Sequence, residues 1–574
     1  MTIRVRHNMG VFDYRSFKGE AGKALYSDAL ALTLYAYTPT GQPLASGWTA
    51  IGAERLGYQG KVGPQGTFFG EQPGFTSAEV EVLGRYDEAG KLLSIGIAFR
   101  GTGGLGFSDT LGDIKNNLLA AVGPVGYAAN YSKNAFDTLF ASVAEFAKAQ
   151  GLSGQDVLVS GHSLGGLGVN SLAELSGEHW GGFYADARYV AFASPTQGPG
   201  DKVLNIGYEN DPVFRVLDGT TFNASSLGSH DKVQASATNN IVNFNEHYAS
   251  TLENLLPQSI LNPLSWKAHG SAGYADGLNR VVDSAFYDLT SKDSTLIVST
   301  LSEANRGKTW VEDLNRNAEP HKGSTFIFGT EGNDLLKGGR GNDFIEGRDG
   351  NDTFRDDGGY NILLGGKGHN VFDLQQSLGK FSVVNDGDGS LYVRDAYGGI
   401  SMTRDIGALV SKEPGFAWGL FSKEVTHSVT DQGLLAGNQL TPYNHSLNGD
   451  AYGNALVASV DGDWLFGHGG DDVLRSDKSD VTFVGGAGND VMYSSGGGAN
   501  TFLFSGAFGF DAIHGYQGSD KLVFMGVVGA GQGYDYTQHL SQNGQDTLLS
   551  VGDYAVTLVG VAPDSLSAGG IVFA

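Results

Sequence analysis

Apolar and polar positions follow two different rhythms along the 574 residues of this chain. Up to about residue 320 the rhythm is that of an ordinary globular protein. Stretches 21–34 and 135–149 place apolar residues every three to four positions, which predicts helices burying one face. Continuous apolar runs at 93–99, 156–160 and 203–208 predict strands covered on both sides. Strand and helix signals in alternation predict an α/β sheet domain. From Gly329 the rhythm becomes nine residues long: Gly329-Thr-Glu-Gly-Asn-Asp-Leu-Leu-Lys, then Gly338-Gly-Arg-Gly-Asn-Asp-Phe-Ile-Glu, then Gly347-Arg-Asp-Gly-Asn-Asp-Thr-Phe-Arg, with degenerate copies from Asp356 and Gly365. The sixth slot holds Asp334, Asp343, Asp352, Asn361 and Asn370, and the eighth keeps apolar Leu336, Ile345 and Phe354. A second array runs from about Gly449 to Phe504, with Asn454, Asp463, Asp472 and Asp490 in the sixth slot. Its phase slips between Arg475 and Gly485, where Asp480 sits one place early.

Each nonapeptide reads as a six-residue turn, which the glycines permit, and a three-residue strand whose apolar side chain points inward. Stacked carboxylates and turn carbonyls make oxygen cages suited to Ca²⁺, a hard cation. The pattern is similar to the G-G-x-G-x-D-x-U-x repeat of RTX proteins, which implies a parallel β-roll. Without the cation the rows of Asp repel one another, so folding of this half is expected to wait for metal. The sequence thus divides into a catalytic-type domain at 1–325 and an RTX domain at 326–574, with arrays at about 329–373 and 449–504. Segment 374–446 carries no readable motif and is expected to be β-structure linking the two rolls.

Composition narrows the setting. The formal charge of −25 argues against nucleic acid as a partner, and Cys is absent. No window of eighteen apolar residues predicts a transmembrane helix. The first residues contain no apolar core of a Sec-type signal, which alone would say cytoplasm. The repeats point the other way, because weak Ca²⁺ sites fill at extracellular concentrations. The tail 564–574, an acidic residue followed by Ser-Leu-Ser-Ala-Gly-Gly-Ile-Val-Phe-Ala, resembles the uncleaved C-terminal signal of type I (ABC) secretion substrates. It also reads as a last β-strand.

The chemistry begins at Gly161-His162-Ser163-Leu164-Gly165, a G-x-S-x-G elbow with a strand-like run before it and helix formers after it. Such a turn holds its serine in strained φ/ψ, so glycines two before and two after let the backbone close up. It also leaves the N–H of Leu164 at a helix N-terminus, where a developing oxyanion is stabilised. A nucleophilic serine needs a base and a residue to orient it, in the chain order Ser, acid, His. Downstream acids include Asp186, Asp201 and Asp211; Asp211 follows the run 203–208 and is best placed. Downstream histidines are His179, His230, His247, His269 and His321. Spacing alone does not choose among them, although His179 precedes the acid and His269 sits in a loop-like Gly-Ser context. His162 is expected to pack under the elbow. A second oxyanion donor is expected where the apolar strand 97–99 runs into Arg100-Gly101-Thr102-Gly103-Gly104.

These motifs together resemble the calcium-dependent, type I-secreted bacterial lipases of subfamily I.3, some described as polyurethane esterases. The resemblance covers nearly the whole chain through Met9-Gly-Val-Phe-Asp-Tyr, Gly66-Thr-Phe-Phe-Gly-Glu, Phe99-Arg-Gly-Thr, Gly161-His-Ser-Leu-Gly-Gly, Gly207-Tyr-Glu-Asn-Asp-Pro-Val-Phe-Arg, Phe286-Tyr-Asp-Leu-Thr-Ser-Lys-Asp-Ser-Thr and both arrays. It implies an α/β-hydrolase-type domain followed by a Ca²⁺-bound parallel β-roll and a β-sandwich-like domain. It places the triad on Ser163, Asp211 and His269, and oxyanion donors at Leu164 and Thr102. It further implies a lid-anchoring Ca²⁺ site at Asp109, Asp113, Ser77 and Glu79, where the family has Gln in place of Glu79. A second site is implied near Asn239, Asn240 and Asp293, with Asn239 replacing a more usual Asp.

One departure is large. Where family lipases carry a long amphipathic lid after Tyr35-Ala-Tyr, only about ten residues, 38–47, lead to Trp48. The first lid is missing, and the second, around 103–124, is short. A permanently open groove is then expected, with good activity on soluble or short-chain esters and weak interfacial activation. The expected enzyme is a secreted, monomeric serine carboxylester hydrolase of the lipase type; within that class the alternative is an esterase for short esters or polyester polyurethanes. From a different class comes a non-enzymatic RTX adhesin, which has no use for the elbow. A metalloprotease is excluded by the absence of H-E-x-x-H.

Overall fold

The computed structural model describes residues 19–101, 127–198, 202–214, 216–218, 221–222, 240–252, 260, 262–291, 294–316, 321, 323–415 and 422–574. They fall into two compact units, one within 9–283 and 315–321, the other of 284–314 and 322–574.

The first unit is built on a seven-stranded sheet. Its strands are β1 (Trp48–Ala50), β2 (Phe68–Phe69), β3 (Glu79–Tyr86), β4 (Leu92–Phe99), β5 (Val157–His162), β6 (Arg188–Phe192) and β7 (Val203–Ile206). The order is β1-β3-β4-β5-β6-β7, with β2 paired to β3. β1, β3 and β4 pair antiparallel, whereas β4 through β7 run parallel. All six residues of β5 are buried, as a strand covered on both faces requires. The patterned helices form as Gly19–Tyr37 and Tyr131–Ala149. The second lays Ala135, Leu139, Phe140 and Val143 against Ile95, Ile97, Val157 and Val159 in one apolar core. Burying such side chains stabilises by roughly 1.5–3 kcal/mol each. The connection 38–47 contains turns and bends and no helix.

The second unit contains two parallel rolls of two sheets each, and in the first the repeat closes every eighteen residues, not every nine. Asp343–Glu346 pairs parallel with Thr325–Phe328, and Thr353–Arg355 with Leu335–Lys337. Successive nonapeptides therefore feed opposite sheets, and their eighth-position side chains Leu336, Ile345 and Phe354 meet inside, fully buried. The roll starts before the recognisable repeats: Thr295–Ser299 pairs parallel with Thr325–Phe328, and Trp310–Val311 with Leu335–Lys337. Contacts thus group 284–314 with the repeats, ahead of the change in texture at 325/326. Those leading strands lack glycine-rich turns, so only their pairing reveals them.

Between the arrays the chain switches to antiparallel pairing, as in Ala408–Pro414 with Ser422–Thr430 and Gly433–Ala436 with Gln439–Pro442. At the end, Ile571–Phe573 adds a parallel strand beside Lys521–Met525.

Candidate active site and calcium ladder

Ser163 stands between β5 and the helix Leu164–Leu175 with φ 58° and ψ −125°, a left-handed-side conformation that a non-glycine residue adopts only when its surroundings impose it. The flanking glycines are needed by contact. A methyl at Gly161 would lie 2.6 Å from the backbone of Gly165, and one at Gly165 would lie 2.4 Å from the carbonyl of Phe99. The N–H of Leu164 opens the helix and has no intrahelical acceptor to reach.

Three chain-distant side chains close on each other there. His269 Nε2 lies 2.9 Å from Ser163 Oγ, and its Nδ1 lies 3.0 Å from both oxygens of Asp211. A carboxylate only accepts, so Nδ1 carries the proton and Nε2 accepts from the serine. Asp211 has no exposure and also accepts from the N–H of Val213 at 2.8 Å and from the Tyr274 hydroxyl. Burial pushes its carboxyl up, but His269, Tyr274 and that N–H together hold it below the usual range. It is a buried, ionised carboxylate fixed against His269.

His162 lies beside the His269 imidazole, with ring centroids 4.9 Å apart, and its Nδ1 is 2.9 Å from the Tyr37 hydroxyl. Burial, reinforced by the neighbouring His269 imidazole, pushes it down to about 3, so this ring stays neutral. Tyr37 and Tyr274 escape sequence reading because nothing local marks them; only the closed fold brings them here. Gly101 abuts Ser163, since a methyl on it would sit 3.2 Å from Ser163 Cβ and 2.2 Å from the Tyr37 oxygen.

His321 Nε2 bonds Glu209 at 3.0 Å, and the His179 ring lies tilted against Trp180 with centroids 5.7 Å apart. His247 is buried in the short helix Glu246–Ala249, and Asp186 closes a 3-10 turn. His230, Asp201, Thr102, Asp109, Asp113, Asn239 and Asp293 lie outside the described residues. Ser77 is exposed just before β3, Glu79 pairs with Arg100, and Asn240 is half-buried.

In the roll the sixth-position carboxylates form a ladder. The N–H of Asp334 donates to Asp352 Oδ1 at 2.8 Å, that of Asp343 to Asn361, and that of Asp352 to Asn370, each eighteen residues on. Asn454, Asp472 and Asp490 repeat the arrangement. Each bond uses one oxygen. The other, in Asp352, Asp472 and Asp490, is buried and meets no hydrogen-bond donor among the described residues. A methyl at the first glycine of each turn would collide with it, at 2.4 Å for Gly347, 2.2 Å for Gly467 and 2.1 Å for Gly485. Burial pushes Asp343 up to about 6, Asp352 to about 8 and Asp490 to about 6. Buried acidic oxygens without donors fit a divalent cation held in oxygen cages.

The phase slip has a structural counterpart: Asp480 is exposed with φ 58°, and buried Val481 occupies the ladder slot. The ladder also outruns the second array. Asp490 N–H donates to Asp511 twenty-one residues on, and Asn500 N–H to Asp520 twenty on. Asp511 is buried, pushed up to about 8 by burial, and keeps one oxygen without a donor. Their turns, Gly506-Ala-Phe-Gly-Phe-Asp511 and Gly515-Tyr-Gln-Gly-Ser-Asp520, keep glycine at the first and fourth positions. That signal was present, but longer strand segments stretched the period and hid it.

Residues 322–354, 346–375, 448–482 and 466–499 match the RTX calcium-binding nonapeptide repeat in four copies. Two lipases of Pseudomonas fluorescens are 52% and 50% identical over 375 residues, spanning 56% of this chain and 79% and 84% of theirs. The chain belongs to the subfamily I.3 lipases. It is a carboxylester hydrolase whose C-terminal repeats bind Ca²⁺. The crystal structure of the extracellular lipase LipA from Serratia marcescens agrees throughout, with a TM-score of 0.92 and 49% identity over 99% of this chain and all of that one. The α/β-hydrolase unit and the parallel β-roll are therefore both features of this lipase. Among the described residues no helix is long and apolar enough to cross a membrane.

Proposed function

We propose that Ser163, His269 and Asp211 are the catalytic triad of this lipase. The reading rests on one observation: a continuous chain of hydrogen bonds from the Ser163 hydroxyl through His269 to Asp211. His269 Nε2 takes the serine proton as Oγ attacks the ester carbonyl, and Asp211 keeps the imidazole in the required tautomer. The oxyanion forms beside the N–H of Leu164, with the loop from Gly101 through Thr102 supplying a second donor. The imidazolium then protonates the leaving alcohol. Water, activated by the same histidine, releases the acid from the acyl-enzyme.

Ca²⁺ supplies counter-charge to the buried carboxylates of the roll. Asp334, Asp343, Asp352, Asp463, Asp472 and Asp490, with Asn361, Asn370, Asn454 and turn carbonyls, are the groups that would hold several ions. Strong acidity and a tail similar to type I secretion signals support export through an ABC machinery and folding outside as a monomer. The ten-residue bridge 38–47 favours a lid-reduced enzyme acting best on short or soluble esters, polyester polyurethanes included.

The test is hydrolysis of a p-nitrophenyl ester chain-length series by wild type and Ser163→Ala, each with calcium and with a chelator. Serine-dependent turnover best on short to medium chains is expected. Retained turnover in Ser163→Ala would remove the triad reading. A sharp rate jump at the solubility limit of a triglyceride would overturn the lid-reduced reading alone.

A further inference from the structure

We propose that Tyr274 is a positioning residue for the reaction, holding Asp211 through its hydroxyl and setting the basicity of the Asp211–His269 pair. This rests on the triad reading above. Tyr274 lies in the first turn of the helix Ser271–Asp283, five residues after His269, and is 1% exposed. Its hydroxyl donates to Asp211 Oδ2 and accepts from the N–H of Tyr208 at 3.0 Å. Tyr208 returns the contact: its own hydroxyl donates to the carbonyl of Gly273 at 3.1 Å, and the two rings lie 4.3 Å apart. This clasp ties the segment that carries Asp211 to the helix that follows His269. It therefore acts across the 58-residue gap between acid and base.

The bond directions are dictated by chemistry. A carboxylate offers no proton, so the single hydroxyl proton of Tyr274 goes to Asp211, and its lone pair is left for Tyr208 N–H. Burial first, and the Asp211 charge next, keep that phenol protonated far above its usual range. Asp211 is thus held on one oxygen by Val213 N–H and on the other by Tyr274, which stops it turning away from His269. Each such donor also disperses the carboxylate charge. Removing the Tyr274 donor makes Asp211 more basic, so it stabilises the imidazolium more, and the acid limb of the rate profile moves to higher pH. The titratable groups facing this cluster are His269 from the turn Ser265–His269, His162 from β5 and Tyr208 from the loop after β7. Asp276 and Arg280, on the helix of Tyr274, bond to each other at 2.7 Å.

The experiment compares Tyr274→Phe and Tyr208→Phe in the full calcium-loaded chain, measuring kcat and KM on a soluble p-nitrophenyl ester across pH. For Tyr274→Phe, kcat is expected to fall on the order of ten-fold with KM within about two-fold. Its acid limb should rise by about half a pH unit or more. Tyr208→Phe breaks the clasp but leaves the hydroxyl on Asp211, so its limb should stay at the wild-type position even if its melting temperature falls. If Tyr274→Phe only loses thermal stability and keeps the wild-type limb, Tyr274 is a structural residue and the proposal is overturned. Should that variant fail to fold, site-specific 3,5-difluorotyrosine at 274 serves instead: a stronger donor, it should move the limb to lower pH, and an unmoved limb sinks the idea. Full turnover in Asp211→Asn would instead remove the triad reading on which the proposal stands.

Discussion

The two regions of this lipase handle buried charge in opposite ways. At Ser163 the polypeptide supplies every partner that the hydroxyl, imidazole and carboxylate require, and Asp211 stays ionised with no exposure because donors surround it. Along the roll the same residue type meets only half its need. One oxygen of Asp352, Asp472, Asp490 and Asp511 takes a backbone N–H, while the other is buried without a donor. The first arrangement is complete on its own, whereas the second leaves buried charge for a cation to compensate. Two sites built from aspartate in one chain are thus separated by who provides the compensating charge.

The largest expected effect would show the two regions to be separable. Ser163→Ala should lose on the order of 10⁴-fold or more in kcat while calcium-induced folding of the roll stays at the wild-type midpoint. Circular dichroism on calcium titration reads the second half of that statement. A shifted midpoint would mean that the two regions are coupled.

A smaller effect sharpens the contrast through pH. Carboxyls pushed up by burial destabilise the folded state once the unfolded chain can ionise and the folded one cannot. Metal-free protein should therefore be most stable below about pH 4 in its roll, losing stability as pH rises toward about 8, the value to which Asp352 and Asp511 are pushed. Calcium should flatten that slope, and calorimetry of metal-free and calcium-loaded protein across pH measures it. The catalytic unit should slope the other way. His162, pushed down to about 3 from 6.5, contributes stability that is lost as pH falls through that window.

The smallest effects lie within the ladder. Gly485→Ala, whose methyl would sit 2.1 Å from Asp490 Oδ2, should raise the calcium midpoint on the order of ten-fold. Asp480→Asn should leave it unchanged, because that side chain is exposed and Val481 fills its slot. A loss of affinity in Asp480→Asn would show that the slipped turn still contributes a ligand.

What the amino-acid sequence determined by itself is local. The elbow is legible because a strand, a strained turn and a helix are consecutive, and glycines at 161 and 165 are demanded by contacts within that turn and with Phe99. The roll is legible for the same reason: each nonapeptide carries its own turn and strand. Tertiary structure decided what depends on closure. Spacing did not choose among the histidines, loop context only leaned toward His269, and the resemblance made the choice; the fold brings His269 to Ser163 across 106 residues and to Asp211 across 58. It also decided that the nine-residue sequence period builds an eighteen-residue coil, that the roll begins at Thr295 before any repeat, and that Asp511 extends the ladder. Backbone preference acts over a few residues, so it writes a pattern that can be read along the chain. Partnership between distant side chains is fixed only when packing closes the core around them, and no short window of sequence contains that information.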